Sequence, residues 1–331
     1  MLAIGVMGWA VAREPWQLLL ATVPSGAGWV AMGAAAVNAI IAPWFIHKRP
    51  AALSIAYNGA SIGGVIFSPL WVAAIAWLDF PFAAAIIGTA MLVTVWLLSD
   101  LVFSRTPDSM RQMPDGQASD AAPAATASAP SLPGSLLWRH RAFLTLAAAM
   151  ALGLFAQIGL IAHLFSLLVP ALGEQAAGIV MGLATASAIA GRTAVGWLMP
   201  VGSDRRLFAC ASHVVQIAGS LALLPAAGDS VVLLVAGVLL FGAGIGNTTS
   251  LPPLIAQVEF TRADAQRVVP LIVAIGQGTY AFAPAAFSAL RSSSIHETAA
   301  VAIAAAVIQG LAVAAFLAGR SRAPSLALAR P

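Results

Sequence analysis

Long apolar runs separated by short polar turns set the pattern of this chain, at about 1–12, 16–43, 51–77, 81–103, 142–169, 175–199, 207–226, 230–257, 268–290 and 298–319. A helix needs about 20 apolar residues to cross roughly 30 Å of hydrocarbon, so every run but the first is long enough to span. The runs are continuous rather than alternating in short strands, which favours helices over a barrel. The second run exceeds one span, so it is expected to begin or end in an interfacial turn, with Pro24 as a candidate kink. Residues 104–137 break the pattern: Pro107, Pro114, Pro123, Pro130 and Pro133 stand among Ala, Ser and Asp with no helical period, the composition of a flexible spacer. The reading is an all-α polytopic membrane protein. It has an N-terminal helical half of about four spans at 1–103, a cytoplasmic linker at 104–141, a six-helix half at 142–319 and a cytoplasmic tail at 320–331.

The two halves share a phrase. Gly33-x4-Asn38-x4-Pro43 recurs as Gly242-x4-Asn247-x4-Pro252, 209 residues later and again inside an apolar run. Three full runs precede Gly242 in the second half, but little more than one short run precedes Gly33. The repeat therefore leads us to expect a 6+6 protein whose first two helices and part of a third are missing, the opening run of 12 residues being too short to cross alone.

Composition agrees with the pattern. Hydrophobic residues make up 60% of the chain and charged ones 8%, far more apolar than a soluble domain needs. The net charge of +4 lies over loops with no basic patch interleaved with aromatics, which argues against nucleic acid. Placing the turn after Pro43 in the cytoplasm puts 14 of the 16 basic residues on that side and leaves Arg13 and Arg291 outside, so the C-terminus is expected to be cytoplasmic. The use of Arg in 15 of those 16 positions suggests a GC-rich bacterial genome, hence a bacterial inner membrane. Cys210 is alone, and the run from Met1 to Ala12 lacks the basic start of a signal peptide. No P-loop, catalytic carboxylate pair or His/Cys metal spacing occurs, so no enzyme, cofactor or metal is expected. Gly242-x-Gly244-x-Gly246 lies within an apolar run and reads as close helix packing.

The parallel repeat and the long central linker resemble the major facilitator superfamily, whose halves rock around a central site. In the second half, Gly191-Arg192-x3-Gly196-Trp197-Leu198 followed by Asp204-Arg205-Arg206 is similar to that superfamily's cytoplasmic loop motif. Met199 and Pro200 stand where the motif's acid is usual, so Asp204 is expected to substitute for it in a charge latch. Trp44-Phe45-x3-Arg49-x2-Ala52 leading to Asn58-Gly59-x3-Gly63-Gly64-x4-Pro69 is similar to monocarboxylate porters and oxalate/formate antiporters. The resemblance implies a monomeric secondary transporter in the lipid bilayer, with a small organic anion as substrate and protons as the candidate coupling ion.

The same resemblance makes Arg192 a candidate for the substrate carboxylate, whose geometry a guanidinium fork matches; the alternative is a helix-end arginine that only latches a loop. His163 falls mid-run and is either a proton carrier or an interhelical contact, with Gln157 a co-liner on a similar face. Asn38 and Asn247 could bond a substrate, or the carbonyls that neighbouring prolines leave open. Tyr57, Asn58, Gln277 and Tyr280 are further candidate liners, and His213 is expected to be structural. Thr248, Thr249 and Ser250 are expected to bond back to their own helix. No Asp or Glu lies deep in a predicted span: Asp79, Glu174, Asp229 and Glu297 fall in external turns, Asp100 and Glu259 near cytoplasmic ends. An anionic or neutral substrate follows. The alternative to a transporter is a non-transporting remnant, or a gene model begun at an internal Met; a membrane sensor or scaffold is the third reading.

Overall fold

The computed structural model describes residues 1–46, 48–116, 132–200, 202–224, 230–292 and 297–320. Among them there is no strand. The chain divides into two compact units, Met1–Ala127 and Ser128–Pro331.

The first unit contains α1 (Leu2–Val11), α2 (Pro15–Ala31), α3 (Ala34–Ile41) and α4 (Arg49–Leu98). The run at 16–43 is broken, but at Met32–Gly33 rather than at Pro24, which stays inside α2. Gly33 takes an extended conformation (φ −81°, ψ −163°) that stops the helical ladder, whereas Pro24 removes only one donor. The long α4 is two predicted spans joined with a single non-helical residue, Asp79 (φ 60°, ψ 161°). A π-helical turn at Ser99–Phe103 ends it.

In the second unit the short α5 (Gly134–Leu137) leads into α6 (Arg141–Leu172), α7 (Glu174–Leu198), α8 (Arg205–Ala222) and α9 (Val231–Glu259). The run predicted at 268–290 is two helices, α10 (Arg262–Tyr280) and α11 (Ala283–Ser292), followed by α12 (Glu297–Ala318). The break falls at Ala281–Phe282, just before Pro284, which has no N–H to offer the carbonyl of Tyr280. At its other end α10 starts six residues earlier than the apolar run, because Thr261 Oγ1 accepts Asp264 N (3.2 Å) and caps a polar first turn.

Two features decide how this unit packs. In lipid there is little hydrophobic drive between helices, so close backbone approach and buried polar pairs carry association. The glycines of α9 supply the first. Residues four apart return to one face and residues two apart point to opposite faces. Gly242 and Gly246 accordingly face α7, where an added Cβ would stand 2.6 Å from the Ala184 carbonyl oxygen and 2.7 Å from Arg192 Nε. Gly244 faces α8, where a Cβ would strike Gln216. The glycine fingerprint is thus a pair of packing surfaces, as its place in an apolar run implies.

The second feature is α8, which is inside out. Arg206, His213, Gln216 and Ser220 recur at helical spacing and are buried, while Leu207, Val214 and Leu221 on the opposite face are exposed. Gln216 Nε2 donates to Thr248 Oγ1 (3.0 Å), Gln309 Nε2 to Gln216 Oε1 (3.1 Å) and Ser220 Oγ to Gln309 Oε1 (3.3 Å). This seam ties α8 to α9 and α12. Toward the opposite ends of the helices, Leu160, Leu164 and Leu168 of α6 pack with Val180 of α7, Val238 and Phe241 of α9 and Ala305 of α12.

The linker is not structureless at its described ends. Residues 104–116 form bonded turns, and Leu132 N donates to Asp264 Oδ1 (3.0 Å) while Arg267 Nη1 donates to Leu132 O (3.0 Å). Pro123 and Pro130 of the spacer, Asp229 and the tail from 321 onward lie outside the described residues.

Candidate functional site

The second unit holds two buried arginines, Arg192 and Arg206. Arg192 is buried on α7, and its Nε donates to the Gly246 carbonyl at 3.1 Å. Gly246 has no side chain to keep the guanidinium away, which is why the arginine can reach the α9 backbone. Judged along α7 alone, Arg192 lies six residues from the end at Leu198. Along α9, however, Gly246 is close to the middle of Val231–Glu259, about 20 Å of helix rise from Glu259. The arginine does not sit at a helix end on that scale.

Asn247 follows Gly246 and is buried, with Oδ1 lacking a partner. No side-chain hydrogen bond of Asn247 occurs among the described residues. Thr249 and Ser250 do bond back, both to Gly246 O at 3.2 Å. Thr248 instead accepts from Gln216. Gln157 of α6 is likewise buried with Oε1 unpartnered.

Asn38, the counterpart of Asn247, is differently placed. Its Nδ2 donates to Tyr57 OH at 2.6 Å, bringing two predicted site residues together across α3 and α4. Asn58, next to Tyr57, is also buried. Arg49 closes this region with Nε on Phe45 O (2.7 Å) and Nη2 on Ala42 O (2.8 Å). The aromatic-arginine phrase is therefore a cap for the end of α3.

His163 is half-buried and reaches α11: its Nε2 lies 3.1 Å from Pro284 O. A carbonyl only accepts, so Nε2 carries the hydrogen. Below it Ser166 Oγ accepts Arg291 Nη1 at 2.7 Å. Gln277 and Tyr280 lie half-buried at the end of α10. His213 is structural in its contacts, with Nδ1 on Ala209 O (2.9 Å), its ring against Phe316, and Nε2 above Gly153.

The loop motif forms a charge network. Arg206 is buried and makes two bonds to Glu259, with further donation to Phe316 O (3.2 Å) and Ala142 O (3.0 Å). Asp204 caps α8 through Arg206 N (3.0 Å) and takes Arg320 Nε at 2.7 Å. Arg205 Nη1 donates to Leu254 O (2.8 Å). Gly191 packs on the carbonyl of Ala243, while Trp197 and Leu198 beyond Gly196 are exposed. The motif's arginines thus join α6, α8, α9 and α12 at the end where Glu259 lies. The roles of Gln216 and Gln309 are marked in the sequence only by a polar residue within an apolar run, whereas Glu259 stands just past the end of its run and carries no such mark.

Together these features define an all-α polytopic membrane protein, with its buried charges at Arg192, Arg206 and Asp264 held in hydrogen bonds and with close-packed glycine-lined helices. Residues 1–284 match the model of the Major Facilitator Superfamily, and the chain belongs to that family. No curated protein matches the chain.

Proposed function

We propose that this protein is a secondary transporter that moves a small organic anion of monocarboxylate type across the bacterial cytoplasmic membrane by alternating access. The observation that supports the reading is the buried Arg192 guanidinium, bonded to the Gly246 carbonyl near the middle of α9, with the unpartnered Oδ1 of Asn247 on the next residue of that helix. A cation held within the membrane is costly, so its retention there points to a function, and its planar fork suits a carboxylate. Asn247 and Gln157 would then meet polar substituents of the anion. In the first unit the reading assigns Asn38, Tyr57 and Asn58 to substrate contact, and in the second Gln277 and Tyr280.

Proton symport through His163 belongs to the same reading, supported by its place on α6 against the α10–α11 break. Function as a monomer with a cytoplasmic C-terminus completes it. The buried carboxylate of Asp264 is engaged by Leu132 and Thr261, which fits an anionic rather than a cationic substrate.

The test is uptake of radiolabelled lactate, formate and oxalate by the purified full chain in proteoliposomes under an inward proton gradient. Wild-type uptake of at least one, lost by tenfold or more in Arg192→Lys, is the expected result. Uptake of none by the wild type would sink the anion reading, and undiminished uptake by Arg192→Lys would remove the arginine's role. If His163→Gln keeps pH-driven accumulation, the proton is not carried there.

A further inference from the structure

The chain leaves α4 through its π-helical turn and folds back to the start of the same helix. Thr106 and Ser109 cap each other's backbone N–H groups (2.9 and 3.2 Å), and Gln112 N donates to Pro107 O (2.9 Å). Asp115 then adopts a left-handed conformation, φ 62°. Its carboxylate accepts Ile46 N at 3.1 Å from each oxygen and Lys48 N at 3.3 Å, and its own N–H donates to Trp44 O at 2.9 Å. This anion lies at the N-terminus of α4, the end whose exposed N–H groups favour negative charge.

The turn it grips is held from the other side by Arg49, which bonds Ala42 O and Phe45 O at the end of α3. One helical turn back along α3 is Asn38, and two turns along α4 is Tyr57, the pair joined at 2.6 Å. A continuous path of bonded groups therefore runs from the linker to the buried amide and phenol. Helices are stiff over one or two turns, so the angle at which α3 meets α4 is fixed by this turn.

We propose that Asp115 is a positioning residue, clamping the backbone of Trp44, Ile46 and Lys48 so that Asn38 and Tyr57 stay in register. Its bearing on transport rests on the reading of Asn38 and Tyr57 as substrate contacts; the clamp itself does not.

The chain has two tyrosines, Tyr57 and Tyr280, so Tyr280→Phe leaves Tyr57 as the only site for 3-fluorotyrosine. The fluorine resonance of the full chain in detergent micelles then reports the phenol directly, and Asn38→Ala marks where it falls when the hydrogen bond is lost. Asp115→Ala is expected to move the line toward that mark and to speed trypsin cleavage after Lys48 about tenfold, since cleavage follows the opened population. Asp115→Asn keeps a residue that tolerates positive φ and one carbonyl acceptor but removes the charge, so it should fall between. Should Asp115→Ala fail to fold, the Asn variant decides. A Tyr57 line unmoved by the substitution overturns the proposal, whatever the cleavage rate. Neither readout needs a transported substrate, so failure of the uptake assay and failure of the clamp are separate results.

Discussion

Arg206 and Glu259 meet by two parallel bonds, Nε to Oε1 at 2.6 Å and Nη2 to Oε2 at 2.8 Å, with the arginine side chain 1% exposed and the glutamate 23%. The guanidinium also bonds backbone oxygens of α6 and α12, so the pair gathers four helices at one end of the second unit. Removing one partner of such a pair leaves a buried charge uncompensated. Glu259→Gln should therefore cost about 3 kcal/mol and appear as a lower midpoint in thermal unfolding of the detergent-solubilised protein. Replacing both partners by apolar residues, Arg206→Met with Glu259→Leu, should recover part of that loss. A double variant less stable than Glu259→Gln alone would show that the backbone bonds of Arg206, not its charge pairing, hold the helices.

Gly153 lets α6 approach α8 because the imidazole of His213 lies where its Cβ would be, with Thr248 Cγ2 beside it at 3.2 Å. Phe316 lies against the ring, tilted at 60° with a centroid distance of 5.4 Å, and limits its retreat. Gly153→Ala should lower stability by about 1–3 kcal/mol through overpacking. The same substitution at Gly178, which has open space around it, should be neutral or slightly stabilising, because alanine is the better helix former. Unfolding midpoints of the two variants measure this directly, and equal effects would contradict the packing described.

The amide seam makes a prediction about coupling. Gln216 bonds both Thr248 and Gln309, so Gln216→Leu strands the Gln309 amide in a buried position. Each single leucine substitution should cost about 1–2 kcal/mol. The double substitution Gln216→Leu with Gln309→Leu should cost less than the sum, and a double-mutant cycle on unfolding midpoints reads the difference. Strict additivity would mean that the two amides do not depend on one another.

The positions of the helices were legible because hydrocarbon demands long apolar runs, and no competing pattern occurs between 142 and 257. Breaks inside the runs were harder. Pro24 stays inside an unbroken helix, while the breaks fall at Gly33 and just before Pro284. A proline removes one donor wherever it stands, and whether the helix breaks depends on neighbours that no local pattern records. Among the site residues, Arg192 was visible as a lone charge in an apolar run. Its partner Gly246 was visible only as a packing glycine, since a backbone carbonyl leaves no mark in sequence. Asp115 was hidden inside a stretch that reads as a spacer, because its role comes from a turn more than sixty residues away in the chain.

Asp79 offers the cleanest test of backbone strain. It is exposed, and its φ of 60° with ψ of 161° lies in a region that is essentially reserved for glycine. Comparing Asp79→Gly with Asp79→Ala removes the carboxylate from both variants, so any influence of its charge on the helix start after Phe80 cancels. What remains is the backbone. Within an ordinary helix glycine would be the less stable of the two by about 1 kcal/mol. Here the order should invert, with glycine more stable than alanine by about 1–2 kcal/mol, because alanine must keep the strained conformation or straighten the two arms of α4. Thermal unfolding of both variants in the same detergent gives the sign, and alanine as the more stable variant would mean that the turn at Asp79 relaxes without cost.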